Sequence, residues 1–171
     1  MGWGHLARRF FGSLWPSGPP APEGAWAESQ MSDREVLLWR RMSGPDRRHA
    51  VGVAREVERV LGDEATRPIL VAALLHDVGK IESGLGTFGR VVATLAGKAA
   101  GREMAREWQR GKGFTRRTGL YLRHDALGAD LLTMAGSDPL VIAWAGQHHR
   151  DRSDWTVDQP TADVLKAADG D

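Results

Sequence analysis

The chain has 171 residues, 42% of them hydrophobic, a formal charge of +1 and no cysteine. That length carries one domain with a real core and is short for two, and the composition is that of a globule rather than a disordered chain. Without cysteine, disulfides, thiolate nucleophiles and cysteine-ligated zinc or iron–sulfur sites are excluded together, so any metal site must rest on imidazole and carboxylate. The near-neutral total leaves electrostatic preference to local clusters.

The chain opens with Trp3, Leu6, Phe10, Phe11, Leu14 and Trp15, with Arg8 and Arg9 between them. This spacing predicts a short amphipathic helix ending before Pro16, and Ser17 to Pro22 reads as a Pro-rich linker. Such a segment is either an interfacial anchor, with arginines at lipid headgroups, or a flap or frayed end on its own domain. No apolar run approaches the roughly 20 residues that cross a bilayer, and Met1 to Trp15 lacks the continuous apolar stretch of a secretory signal. The expectation is a cytoplasmic protein whose residues 1–15 can touch a membrane surface weakly. Residues 1–32 form the amphipathic segment and linker in this reading, and 33–171 the helical domain.

From Asp33 the pattern is helical, with Val36, Leu37 and Trp39 opening it and a break at Ser43-Gly44-Pro45. Ser43 followed by Asp46 resembles a capping box, and Pro45 suits a first turn. The next helix spaces Ala50, Val53, Ala54, Val57, Val60 and Leu61 three and four apart. Thr66 and Pro68 start a helix that is apolar almost all round, Ile69 to Leu75, and so belongs at the centre of the globule. It ends in His76-Asp77-Val78-Gly79-Lys80, where Gly79 reads as a stop. Further helices are predicted over Thr87 to Gln109, Tyr121 to Met134 after a break at Gly111 to Gly113, Pro139 to His148-His149, and from Thr161. Period-two alternation is lacking, which makes the fold class all-α.

Five of the six histidines, His49, His76, His124, His148 and His149, fall at or near the ends of these predicted helices. Helix ends are where side chains from several elements converge without burying unpaired charge in mid-core. A lone histidine on an apolar helix is more often a satisfied core residue than a ligand. Asp77, however, ends the most buried helix, where a carboxylate is costly to ionise unless a cation compensates it. His124-Asp125 follows a basic segment and reads as surface-facing, with His124 free to supply one ligand.

The order of these residues resembles the HD superfamily of metal-dependent phosphohydrolases. Its signature is a His, then His-Asp, then a distal Asp on a helical bundle. His49, His76-Asp77 and Asp169 supply that order, and His76-Asp77-Val78-Gly79-Lys80 is similar to the family's His-Asp-(Ile/Val)-Gly-Lys form. The two-metal subgroup adds a His before a Gly-containing helix and a further, often doubled, His. His124 with Gly128-Ala129-Asp130-Leu131-Leu132, and His148-His149 after Pro139-Leu140-Val141-Ile142, resemble those additions. The likeness runs from Asp46 to Asp169.

The resemblance implies a single-domain HD-type helical bundle holding two divalent ions, iron, manganese or zinc. His49, His76 and Asp169 would complete one ion and His124 with His148 or His149 the other, with Asp77 bridging them. Two ions roughly 3.5–4 Å apart can share a water and bring its pKa toward about 7, giving an activated hydroxide to attack phosphorus. The implied activity is hydrolysis of a phosphate ester or phosphodiester, with a nucleotide or cyclic dinucleotide as substrate. Asp77 and Lys80 would be the catalytic pair. Lys80 either neutralises a phosphate oxygen in the transition state or offsets the helix dipole. The alternative is a non-catalytic HD module that binds a nucleotide or partner in signalling; such modules usually lack some ligands, and this chain retains all of them.

Three departures matter. After His148-His149 the cyclic-di-GMP phosphodiesterase subgroup usually carries Gly-Tyr-Pro, whereas this chain reads Arg150-Asp151-Arg152-Ser153-Asp154-Trp155. Three-metal members have a Glu four residues before the first His; Pro45 stands there, so two ions are expected. Asp169 lies close to the end of the chain, with Asp163 the fallback ligand. Between Asp77 and His124, Lys98, Arg102, Arg106 and Arg110 recur every four residues, and Lys112, Arg116, Arg117 and Arg123 follow. That stripe is either a solvated helix face or a cationic rim steering an anionic substrate, with nucleic acid the less expected partner.

Overall fold

Polar caps and prolines start most of the helices. The computed structural model describes residues 17–170, without the side chains of 87, 98 and 101–103. Among the described residues there are nine α-helices and no strand: α1 Ala21–Gln30, α2 Asp33–Arg41, α3 Gly44–Leu61, α4 Arg67–Leu75, α5 Thr87–Gln109, α6 Gly113–Leu122, α7 His124–Ala135, α8 Pro139–Gln147 and α9 Gln159–Asp169. Five of them carry a proline at the first or second position, where the missing N–H costs nothing. Ser43, Asp138 and Asp158 accept from the first turns of α3, α8 and α9. The reciprocal capping box, however, is Ser32 with Glu35 at the start of α2: the Ser32 hydroxyl accepts from Glu35 N and the Ser32 backbone donates to Glu35 Oε2 at 2.8 Å. Ser32→Ala should cost about 1 kcal/mol, read as a lower urea midpoint at unchanged m-value.

The centre of the bundle is α4. Every residue from Ile69 to Leu75 is buried, and the helix packs on α3 and α8 while touching α1 and α9. Trp39, Trp144, Leu132 and Leu165 are buried to near completion in the same core, each such side chain gaining roughly 1.5–3 kcal/mol from leaving water. Helices α5 and α6 form a hairpin that joins this body through the 3-10 turn Val78–Glu82. Its two helices cross closely because Gly119 lacks a side chain: a Cβ there would lie 2.3 Å from Gln109 N.

The all-α single-domain expectation holds, and several boundaries move. Residues 21–30, read as linker and lead-in, form α1, whose Ala27 is fully buried and whose Trp26 ring takes the Arg55 guanidinium at 3.4 Å. The packed body therefore begins at Ala21 rather than Asp33. The stretch read as one helix from Tyr121 to Met134 is two, because Arg123 (φ −116°, ψ 20°) leaves helical geometry between α6 and α7. Helix α9 starts at Gln159, under the Asp158 cap, not at Thr161. The amphipathic segment Met1 to Trp15 lies outside the described residues. Among those described, no helix is long and apolar enough to cross a membrane.

Candidate metal centre

Five segments deliver their polar ends to one point beside the C-terminus of α4. His76 caps α4 and Asp77 follows it in the bridge region of backbone space (φ −98°, ψ 7°), a conformation frequent at active sites. His49 comes from the second turn of α3, His124 opens α7, His148 caps α8 with His149 next, and Asp169 is the last residue of α9. The distances are short. Asp77 Oδ1 lies 3.2 Å from His124 Nε2 and 3.8 Å from His148 Nε2, while Asp77 Oδ2 lies 3.4 Å from His76 Nε2. Asp169 Oδ1 stands 2.9 Å from His49 Nε2 and 3.6 Å from His76 Nε2.

These contacts fall into two donor sets. Ligand atoms of Asp77, His124, His148 and His149 lie within 4.8 Å of one another, as do those of His49, His76 and Asp77. Asp77 belongs to both.

Backbone carbonyls orient the rings. His76 Nδ1 donates to Ala73 O at 2.9 Å, His124 Nδ1 to Tyr121 O at 2.7 Å and His148 Nδ1 to Ala145 O at 3.1 Å. A carbonyl can only accept, so each Nδ1 carries the proton and each Nε2 turns inward, the arrangement of a metal-ligating imidazole. Lys166 Nζ donates to His148 O at 3.0 Å and so ties the end of α8 to α9.

The centre fits a divalent cation on two further counts. His76 Nε2, His148 Nε2 and Asp77 Oδ1 are buried without a hydrogen-bond partner among the described residues, an arrangement that costs free energy unless an electrophile meets it. His124 Nε2 and His149 Nε2 stand 3.2 Å apart, close to the roughly 3.3 Å that separates two nitrogens bound at about 2.0–2.1 Å to one tetrahedral ion. A buried His/Asp cluster able to hold a metal ion is therefore part of this fold.

Electrostatics divides the histidines. Burial opposes the charged form of His76, but Asp77 and Asp169 outweigh it and hold the pKa up at about 9. Burial likewise opposes the charge on Asp77, and Lys80 with His76 overcomes it, holding the carboxyl well below the usual range. His148 is lowered by burial ahead of the opposing pull of Asp77. His149 has an exposed outer edge; desolvation of its inner edge, then the neighbouring His148 and His124, push it far down. At neutral pH His148 and His149 thus present lone pairs, while His76 holds a proton as counter-ion to two carboxylates.

All seven residues proposed as ligands from the sequence meet here, and His148 and His149 both reach the centre because α8 ends at Gln147. Asp169 takes the distal position, while Asp163 pairs with Arg152 at 2.7 and 2.6 Å on the surface. His124 is buried rather than surface-facing, and Asp125 is spent on its own helix, accepting from Ala126 N at 2.8 Å. Lys80 ion-pairs with Asp77 Oδ2. Gly79 is not a left-handed stop. Helix α4 has already ended, and glycine stands there because a Cβ would lie 1.9 Å from His124 O.

Two neighbours escaped the sequence reading. Arg90 pairs with Asp46 at 2.6 Å and is among the charges that act with Asp77, and Tyr121 stacks on His124 with ring centroids 5.7 Å apart. Arg90 lies in a stretch without a motif, and the sequence pattern places Tyr121 at the start of the following helix rather than near the end of α6; neither position carries a local signal. Comparison with family models, curated proteins and solved structures found no match for this chain.

Proposed function

We propose that this protein is a metal-dependent phosphohydrolase of the HD type, acting on a phosphate ester or phosphodiester of the nucleotide or cyclic-dinucleotide class. The observation that supports the reading most is one buried carboxylate, Asp77, common to two sets of inward-turned imidazoles. In this reading His49, His76 and Asp169 would hold one divalent ion and His124, His148 and His149 a second, with Asp77 available to both. Iron, manganese or zinc bound there supplies Lewis-acid charge to a phosphoryl oxygen and brings the pKa of a water toward about 7. Lys80 and Arg90, each mostly buried beside Asp77 and Asp46, give the approach to the centre positive charge for phosphate oxygens. Tyr121, half-buried against His124, supplies an aromatic wall.

His76 sets a pH signature. Its raised pKa means that a cation must displace a proton, so apparent metal affinity rises with pH and levels off above about 9. In the metal-free protein the sign reverses: the protonated His76 contributes stability that is full below about 6.5 and lost as pH rises through about 9. Melting temperatures of the metal-free and metal-loaded protein should therefore diverge across that window.

The test is metal analysis followed by assay of the loaded protein on mononucleotides, cyclic dinucleotides and aryl phosphates. About two equivalents of metal and turnover of one class are expected. A folded protein that binds no metal overturns the reading. Metal binding without turnover of any substrate returns the chain to a non-catalytic binding module.

A further inference from the structure

Helix α5 presents to solvent a face that packing of the bundle does not explain. Phe88 is 76% exposed, Leu95 65%, Val92 51% and Val91 41%. Their spacing of three, four and seven places them on one stripe over two turns. The opposite side does the packing: Ala93 and Ala105 are buried, and Gly97 abuts Leu122. Toward the other end of the hairpin the surface turns cationic. Arg106, Lys112, Arg116 and Arg117 are exposed with no ion partner among the described residues, and the exposed Phe114 lies among them. Glu107 is taken up by Arg110 at 3.1 Å.

We propose that the α5–α6 hairpin docks on an anionic lipid surface, its apolar stripe at the acyl boundary and its arginines and lysine at headgroup phosphates. The chemistry is that of an interfacial helix, where buried apolar area and attraction to acidic lipid add. The start of the chain has the same character: residues 1–16 contain Trp3, Phe10, Phe11 and Trp15 with Arg8 and Arg9, and no acidic residue. That segment joins the body beside α3, where the Ser17 carbonyl accepts from Arg48, and the same two turns anchor α5 through Asp46 and Arg90. Both elements are apolar and cationic, so a negatively charged, partly apolar surface complements them together. Four side chains over two turns fall well short of the roughly 800 Å² per partner of a stable dimer. A nucleic acid would engage the cations and leave the apolar stripe in water.

The experiment is co-sedimentation of the full chain with vesicles of phosphatidylcholine alone or mixed equally with phosphatidylglycerol. Binding is expected to the mixed vesicles, little to the neutral ones, and to weaken severalfold as salt rises from about 0.1 M to about 0.5 M. Leu95→Glu and Val92→Glu, at exposed positions, should each reduce binding on the order of tenfold with unchanged circular dichroism and metal content; Leu95→Gln guards against misfolding. The same loss should appear in a chain carrying Phe10→Ser and Phe11→Ser. Absence of binding to the mixed vesicles, or binding indifferent to Leu95 and Val92, overturns the proposal. So does a short DNA duplex bound in place of vesicles, or a vesicle-independent dimer that Leu95→Glu dissolves.

Discussion

Under the proposed two-ion hydrolase reading, Asp77→Asn is expected to reduce turnover by roughly 10³-fold or more, the scale set by loss of one electrostatic group at a reacting centre, and to lower metal content at both positions together. The reason is topological. Among the described residues Asp77 is the one common to the two donor sets, and its Oδ1 and Oδ2 face different histidines, His124 and His148 on one side and His76 on the other. Asparagine keeps the shape but turns one oxygen into a donor and removes the charge that holds the His76 proton and the Lys80 ammonium. His49→Ala and His149→Ala are the controls, because each belongs to one set only. Each should lower metal content by about one equivalent in the two-ion reading, whereas Asp77→Asn should lower it by about two. If Asp77→Asn retains wild-type metal and activity, the reacting centre lies elsewhere.

Gly79→Ala is the largest stability effect expected of a single methyl group. A Cβ at that position would lie 1.9 Å from His124 O, 2.5 Å from Gly128 N and 2.8 Å from His124 C, all backbone of the first turns of α7. No rotamer change relieves a clash with backbone, so the turn Val78–Glu82 and α7 must separate. We expect a loss of about 3 kcal/mol, at the upper end of overpacking costs, and a melting temperature lower by roughly 10 °C for a domain of this size. Because α7 carries His124, the separation also draws that imidazole away from Asp77, so in the two-ion reading metal at the His124 set should weaken more than metal at His49 and His76. Gly52 in α3 is the contrasting position: a Cβ there meets nothing within 4 Å, and Gly52→Ala should stabilise by about 0.5–1 kcal/mol. Thermal melts of the two variants against the wild type decide the matter, and equal stability of Gly79→Ala would refute the close approach.

What the residues determine by themselves is what acts over one or two helical turns. The apolar girth of Ile69 to Leu75 is enough to put α4 at the centre, and Ser43, Asp138 and the prolines beside them start α3 and α8 as the capping rules require. The order of His49, His76-Asp77, His124, His148-His149 and Asp169 was likewise legible, whereas the charge on Asp77 is met within the chain by Lys80 and His76. Tertiary structure decided the rest, because it depends on contacts that sequence spacing does not encode. His49 and Asp169 meet at 2.9 Å across 120 positions. Asp163, two turns earlier on the same helix, goes to Arg152 instead, and only the docking of α9 distinguishes the two. The break at Arg123 has no glycine or proline to announce it, and the capping box at Ser32 falls in a stretch read as lead-in to the domain. The glycine at position 79 reads locally as a helix stop, yet its role is steric. The backbone of α7 passes where its side chain would be, and that passage sets His124 beside Asp77.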